Sequence, residues 1–400
     1  MKGFLKNSSI FIGGELLAKL VPFLMLPYLT RVLSTDDFGQ LGLFTSLLAL
    51  ALICVNLSYE GAIARYFYRY GNKNFPKLIL VSFLLVMTSG LFLLTMSAAL
   101  LPDNKIWQYA VIVGMLQAFF NILLTSKQCQ KKALSYIFYQ ILYSVLSALA
   151  TVALFKAFEY TLDIRILAIA LSLTVVLLLS CALNLRLFDL KITLKQFKLN
   201  YLYLFSFGLP LVIHQISLFI RGQLDRIIIA HSFTVSDLAY YTAAFQLASV
   251  ISVGIMAVNK AIVPYYYELC KKGIIDLKVI KKTLVVLGGF CFIISGLVWI
   301  IPSVVYGFIL GAKYSDIGGL VLLFTIAFSL QIPYLAVVNY LFYKNDNKVV
   351  ASITFVSSIL HVFLLLILRN FTIELIPLAM IVSNLFSVIL LYLRASKKFA

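Results

Sequence analysis

Long apolar stretches and short polar breaks alternate along the whole chain. Twelve stretches lie near 8–30, 39–59, 78–101, 107–126, 135–157, 164–185, 201–230, 238–258, 283–305, 317–341, 349–369 and 375–393. Each holds about 20 residues, the length that crosses a hydrocarbon core about 30 Å thick. The breaks are short, the longest lying near 60–77, 186–200 and 259–282. This pattern predicts an all-α, polytopic membrane protein of about twelve transmembrane helices, with no room for a large aqueous domain. Two stretches carry charges where a span tolerates them least. The first contains Glu15 and Lys19; the seventh contains Arg221, Asp225 and Arg226. A charge at mid-bilayer costs roughly 2.5–3.5 kcal/mol on insertion scales. Charges kept against that cost usually face a bundle interior or a watery cavity, which points to transport.

The pattern repeats with an offset of 200. Ser34-Thr35-Asp36-Asp37-Phe38-Gly39 falls on Thr234-Val235-Ser236-Asp237-Leu238-Ala239, and the basic, aromatic loop around Arg65-Tyr66-Phe67 falls on Val263 to Tyr267. Few residues are identical, but the order of features is shared: a charged span, a short acidic turn, a span, a Tyr-rich basic loop. Two six-helix halves, 1–200 and 201–400, are therefore expected, related by an axis along the membrane normal. Transporters with this plan commonly place their site near the midplane between halves. Asp36 and Asp37 suit the start of the second span as helix-capping acids. Pro22, Pro27 and Pro210 lie inside the charged spans, where freed carbonyls need a protein or aqueous partner. Pro333 and Pro377 predict further bends in the tenth and twelfth spans.

Composition supports the membrane reading: 62% of residues are hydrophobic and 12% charged, against about 25% charged in soluble domains. Mean hydropathy is +1.01. A net charge of +18 raises nucleic acid as a partner, but its distribution excludes it. With both termini placed in the cytoplasm, 24 of the 33 Lys and Arg fall on the inner side and six on the outer. The other three, Lys19, Arg221 and Arg226, lie within spans. That is the positive-inside pattern, and the excess suits contact with anionic membrane lipid. The five cysteines are scattered, without disulfide or metal spacing. No metal or cofactor is expected. The first apolar stretch is longer than a signal-peptide core and reads as a span.

Glu15 and Lys19 are spaced i,i+4 and share a helix face, as do Arg221 and Asp225 in reverse order. These pairs are either internal neutralisation or the floor of a polar cavity. The three cations and two acids leave one net positive charge, which suits an anionic cargo. Arginine suits phosphate through its planar fork of donors. Candidate cavity cations are therefore Lys19 and Arg221, with Glu15 and Asp225 as acidic partners or ion-coupling groups. His214, Gln246 and Arg226 are candidates for cavity lining. Arg226 also fits the outer part of its span, and His361 reads as a satisfied interior histidine. Thr242, Gln246 and Ser249 share a face that helix–helix hydrogen bonding explains. An enzyme working on the outer face, such as a polysaccharide polymerase, would need a larger loop or an acid/base constellation.

Pro27-Tyr28-Leu29-Thr30-Arg31-Val32-Leu33, followed by Phe38-Gly39-Gln40-Leu41-Gly42, resembles the bacterial polysaccharide flippases of the Wzx type, in the multidrug/oligosaccharidyl-lipid/polysaccharide exporter superfamily. Leu224 to Ala230 with Asp237 to Tyr241, and Gly311-Ala312-Lys313-Tyr314, resemble later stretches of that family. Ala239 replaces a glycine common there. The resemblance implies a V-shaped, two-bundle protein of the bacterial inner membrane. It implies transport of an undecaprenyl-pyrophosphate-linked oligosaccharide to the periplasmic leaflet, for O-antigen, capsule or a related polymer. It adds Arg31 to the candidate cations. It also implies a polysaccharide polymerase and glycosyltransferases as pathway partners. A cation-coupled exporter of small drugs is the alternative within the superfamily.

Overall fold

A computed structural model of the chain describes residues 2–183, 192–275 and 277–397. Fifteen α-helices run through them: α1 (Lys2–Val32), α2 (Thr35–Asn56), α3 (Tyr59–Tyr70), α4 (Phe75–Leu100), α5 (Lys105–Cys129), α6 (Ala133–Ala157), α7 (Leu162–Leu183), α8 (Leu194–Ser232), α9 (Val235–Lys271), α10 (Leu277–Trp299), α11 (Ser303–Leu310), α12 (Gly318–Ser329), α13 (Gln331–Tyr343), α14 (Asn347–Leu368) and α15 (Pro377–Lys397). Short 3₁₀ turns at Ala312–Ile317 and Ile373–Leu375 complete the path. Eleven segments among the described residues are long and apolar enough to cross a membrane, and Leu20–Val32 is a shorter apolar stretch within α1. The protein is an all-helical, multi-pass membrane protein.

The chain forms two compact units. One comprises 1–25 and 32–219; the other comprises 26–31 and 220–400. In the first unit α5 is the central stave. It packs on α2, α3, α4, α6 and α7 and buries residues on several faces, among them Val111, Ala118, Ile122 and Leu123. In the second, α12 packs on α9, α10 and α15, and α14 on α15. By contrast α10 is largely exposed, with Val285, Phe292 and Trp299 uncovered on it. In a membrane that face meets lipid, so its exposure carries no hydrophobic cost.

Several boundaries differ from the expected ones, each for a local reason. The segment after 59, expected as a loop, begins with α3. Its aromatic and basic residues alternate as an amphipathic helix, which a hydropathy reading takes for a polar break. The tenth span is divided at Leu330 into α12 and α13, with Pro333 in the first turn of α13, consistent with the bend expected there. Pro377 does not bend the twelfth span; it opens α15, where a missing N–H costs nothing. Helix α8 runs unbroken through Pro210 and through Arg221 to Arg226. The Tyr-rich stretch 265–267 is the helical end of α9 and not a loop.

The repeated acidic turns have the same local structure. Ser34 caps α2, its hydroxyl accepting from the Asp37 N–H at 3.0 Å. Thr234 caps α9, accepting from the Asp237 N–H at 3.1 Å, while Asp237 accepts from the Thr234 N–H. Each cap satisfies an orphan amide at a helix start.

Candidate functional site

Polar groups concentrate at one place in each unit. In the second unit, α8 carries Arg221, Asp225 and Arg226. Asp225 is 2% exposed and Arg226 3% exposed. Asp225 does not pair with Arg221, its helical neighbour at i+4. Its Oδ2 instead accepts the Tyr241 hydroxyl of α9 at 2.5 Å. Its Oδ1 stands 3.8 Å from Nε2 of His361 on α14, and neither of those two atoms has a hydrogen-bond partner. The other His361 nitrogen, Nδ1, lies 3.4 Å from the Ser383 hydroxyl of α15. The carboxylate of α8 thus meets groups from two other helices, α9 and α14.

Arg226 lies beside Asp225 and is their electrostatic neighbour. Its guanidinium stacks 4.0 Å from the centre of the Phe245 ring and donates to Gln223 Oε1 at 2.6 Å. Phe245 is held edge-on by Phe324 and Phe328 of α12. A buried guanidinium over a ring gains cation–π attraction while shedding water. Arg226, expected as cavity lining, is therefore enclosed in the bundle. Arg221 is half-buried and reaches the Tyr334 hydroxyl of α13, while its Nε has no partner. Gln246 is half-buried on α9, one turn beyond the buried Thr242.

Arg31 occupies a different place. It is exposed at the end of α1 and donates to the Phe308 carbonyl of α11. A side chain built at Gly311 would come 3.2 Å from its Cγ, and Gly311 has φ +101°. Arg31 thus ties the end of α1 to the turn after α11, a contact that uses its fork on backbone. Glu15 and Lys19 fall on α1, but their side chains lie outside the described part of the structure.

In the first unit the polar groups gather where α2 stops. Leu57 and Ser58 both take left-handed backbone, φ 42° and 58°, and separate α2 from α3. Such angles are uncommon for residues other than glycine and tend to cluster at functional sites. Gly208 of α8 packs on this break: a Cβ there would lie 2.4 Å from the Leu57 carbonyl oxygen. Beside it is a cavity of about 250 Å³ lined by Asn56, Ser58, Glu60, Asn121, His214 and Gln215 with four smaller or apolar residues. Glu60 accepts from Asn56 Nδ2 at 2.7 Å and from the Asn121 side chain. Asn121 in turn accepts from Gln117 at 3.0 Å.

The structure thus brings Asp225 and Arg226 together and places His214 in the other unit's cavity. Three partners were not foreseen: Tyr241 and His361 for Asp225, and Glu60. Glu60 had a visible signal, its i,i+4 spacing from Asn56 at the end of an apolar stretch. The approach of His361 had none, since contacts between distant helices leave no mark in a single sequence.

These helices make a multi-pass membrane bundle that encloses charged and polar groups in each of its two units. The chain belongs to the Polysaccharide biosynthesis protein family, which matches residues 4–270. It is 39% identical over 99% of both chains to "Lsg locus putative protein 1" of Haemophilus influenzae. It is 36% identical to an "Uncharacterized membrane protein" of the same organism, over 89% of this chain and 88% of that one. Among solved structures it is similar to an inward-facing multidrug resistance MATE family transporter of the MOP superfamily, with TM-score 0.69, 14% identity, and 96% and 94% coverage. An outward-facing transporter of that family gives TM-score 0.64 at 15% identity, covering 99% and 94%. At such identities the likeness is one of fold.

Proposed function

We propose that the protein is a flippase that carries an undecaprenyl-pyrophosphate-linked oligosaccharide across the bacterial inner membrane, for O-antigen, capsule or a related surface polymer. The observation that carries this reading is the meeting of a transporter fold and a polysaccharide-biosynthesis family in one chain. A transporter serving polymer synthesis has a sugar-bearing intermediate to move. The prenyl tail remains in lipid throughout, so only the polar head must be shielded. Replacing the head's hydration with fixed polar groups lowers that barrier, and no covalent step is required. Arg221 supports the reading: it is an intramembrane cation whose Nε is unpaired, and its fork matches phosphate oxygens. Glycosyltransferases would supply the cargo on the cytoplasmic side, which the Lys and Arg bias assigns to both termini, and a polymerase would consume it on the other.

Deleting the gene should abolish surface polymer and build up lipid-linked intermediate in the inner leaflet. Arg221→Ala, expressed to the normal level, should restore less than about a tenth of the polymer, since a lost charge-assisted contact is worth roughly 1.5–3 kcal/mol. Full restoration would remove Arg221 from the transport path. A deletion strain with normal polymer and raised drug sensitivity would instead make the protein a small-molecule exporter.

A further inference from the structure

The aromatic and basic end of α3 is not used by the reading above. Arg65 and Arg69 are spaced i,i+4 and share a face of that helix, where like charges repel. Both are exposed, and among the described residues neither has a carboxylate partner. Rings meet them instead. The Arg65 guanidinium lies 4.6 Å from the centre of the Phe207 ring of α8, and that of Arg69 lies 5.4 Å from the centre of Tyr70. Stacking covers the face of a guanidinium and leaves the N–H groups at its edge able to donate. The Tyr203 ring of α8 stands 5.2 Å from Tyr66 and 6.1 Å from Tyr70, which brings its hydroxyl into the field of both arginines. That oxygen is buried and has no hydrogen-bond partner among the described residues. The cluster lies where helices begin and end. Phe67 of α3 packs against Phe75 at the start of α4, ring centres 4.9 Å apart, and Asn74, just before α4, donates to Asn200 of α8 at 3.0 Å. Because α4 is long and apolar enough to span, its start marks a membrane boundary.

We propose that this cluster binds the phosphate group of an anionic phospholipid, with Arg65 and Arg69 as its cations and the Tyr203 hydroxyl as a further donor. Two guanidinium forks match the oxygens of a phosphodiester, and their unanswered charge calls for an anion. Basic clusters between helices at a membrane surface recognise lipid head groups in this way. The surroundings favour a lipid over a phosphate in solution. Tyr68 and Tyr70 of α3 and Leu202 and Phe205 of α8 are exposed. At a membrane boundary such groups find cover among acyl chains and head groups, which a free phosphate lacks. A zwitterionic head group brings an ammonium that the two arginines repel.

The test uses the purified full chain in detergent and follows its melting temperature as lipid is added. Phosphatidylglycerol is titrated against phosphatidylcholine with the same acyl chains. A third titration uses glycerol 1-phosphate, which has the phosphate without the chains. The wild type should be stabilised saturably by phosphatidylglycerol and far less by the other two. Arg65→Gln together with Arg69→Gln should weaken that response about tenfold or more, through the loss of charge-assisted contacts. The response is the shift above each variant's own starting temperature, so a less stable variant still reports it. Tyr203→Phe removes a hydroxyl without a partner among the described residues. It should fold normally and weaken the response about fivefold, the value of one ordinary hydrogen bond. Lys271→Gln together with Lys272→Gln removes the same charge from the exposed end of α9 and should respond as the wild type does. The proposal is overturned if the arginine pair is replaced without loss, if the lysine pair costs as much, or if phosphatidylcholine acts as well as phosphatidylglycerol. Glycerol 1-phosphate acting as well as the lipid would also overturn it, by making the ligand a soluble anion. So would a wild type that no lipid stabilises. Because neither cargo nor polymer is measured, these outcomes are independent of those that test the flippase reading.

Discussion

Asp225 holds several buried groups of its unit together. It accepts from Tyr241, faces His361 and balances Arg226, all inside the bundle. Removing one member of such a set leaves the others without compensation, and that loss outweighs the bond itself. Asp225→Ala should therefore lower stability by about 3 kcal/mol, because Arg226 is left as an unbalanced buried charge. Asp225→Asn keeps an acceptor for Tyr241 and should cost less. Thermal melting of the two purified variants beside the wild type checks the order. Equal melting temperatures for all three would mean that Arg226 is balanced from elsewhere. The charge on Asp225 was legible in the chain, but its partner was not. Helical spacing pointed to Arg221, whereas in the folded bundle the closer groups come from α9, the next helix, and from α14, far along the chain.

At the scale of elements, the break between α2 and α3 depends on a glycine from another helix. Gly208 lets the α8 backbone approach the Leu57 carbonyl more closely than any Cβ would allow. The atom in the way is backbone, so it cannot swing aside as a long side chain would. Gly208→Ala must push α8 and the break apart, an overpacking strain of roughly 1–3 kcal/mol. We expect a lower melting temperature for the purified variant than for the wild type. An unchanged melting temperature would show that the break tolerates the shift. Spans were legible here because length and hydropathy are local properties. The break was not, because Leu57 and Ser58 are ordinary residues in unusual backbone and nothing in their types announces it. The caps at Ser34 and Thr234 were half legible: their acids were foreseen near the helix start, and the hydroxyl that makes each cap is the residue just outside it.

For the whole molecule, the distribution of Lys and Arg makes a statement about orientation that helices alone do not. The bias of 24 to six predicts that the exposed turn carrying Lys73 faces the cytoplasm and that the exposed turn carrying Asp103 faces away from it. After replacement of the five native cysteines, a membrane-impermeant maleimide should label Asp103→Cys in intact cells. Lys73→Cys should react only once the membrane is opened. The reverse pattern would invert the topology and the direction of transport with it. The all-helical architecture was legible because α4 and its neighbours are continuous apolar stretches of spanning length. The short helices α3 and α11 were not, since each is too short or too polar to register as a span.

The contact of Arg31 with Phe308 and Gly311 has a consequence for biosynthesis. The bonded residues are 277 positions apart, and Leu26–Arg31 packs within the unit built otherwise from 220–400. A ribosome makes this segment almost first and its partners late. For most of translation the end of the first helix waits in the membrane without its neighbours. A fragment beginning at residue 220 would also lack one of its own staves, so the second unit is not an autonomous product of the second half of the gene.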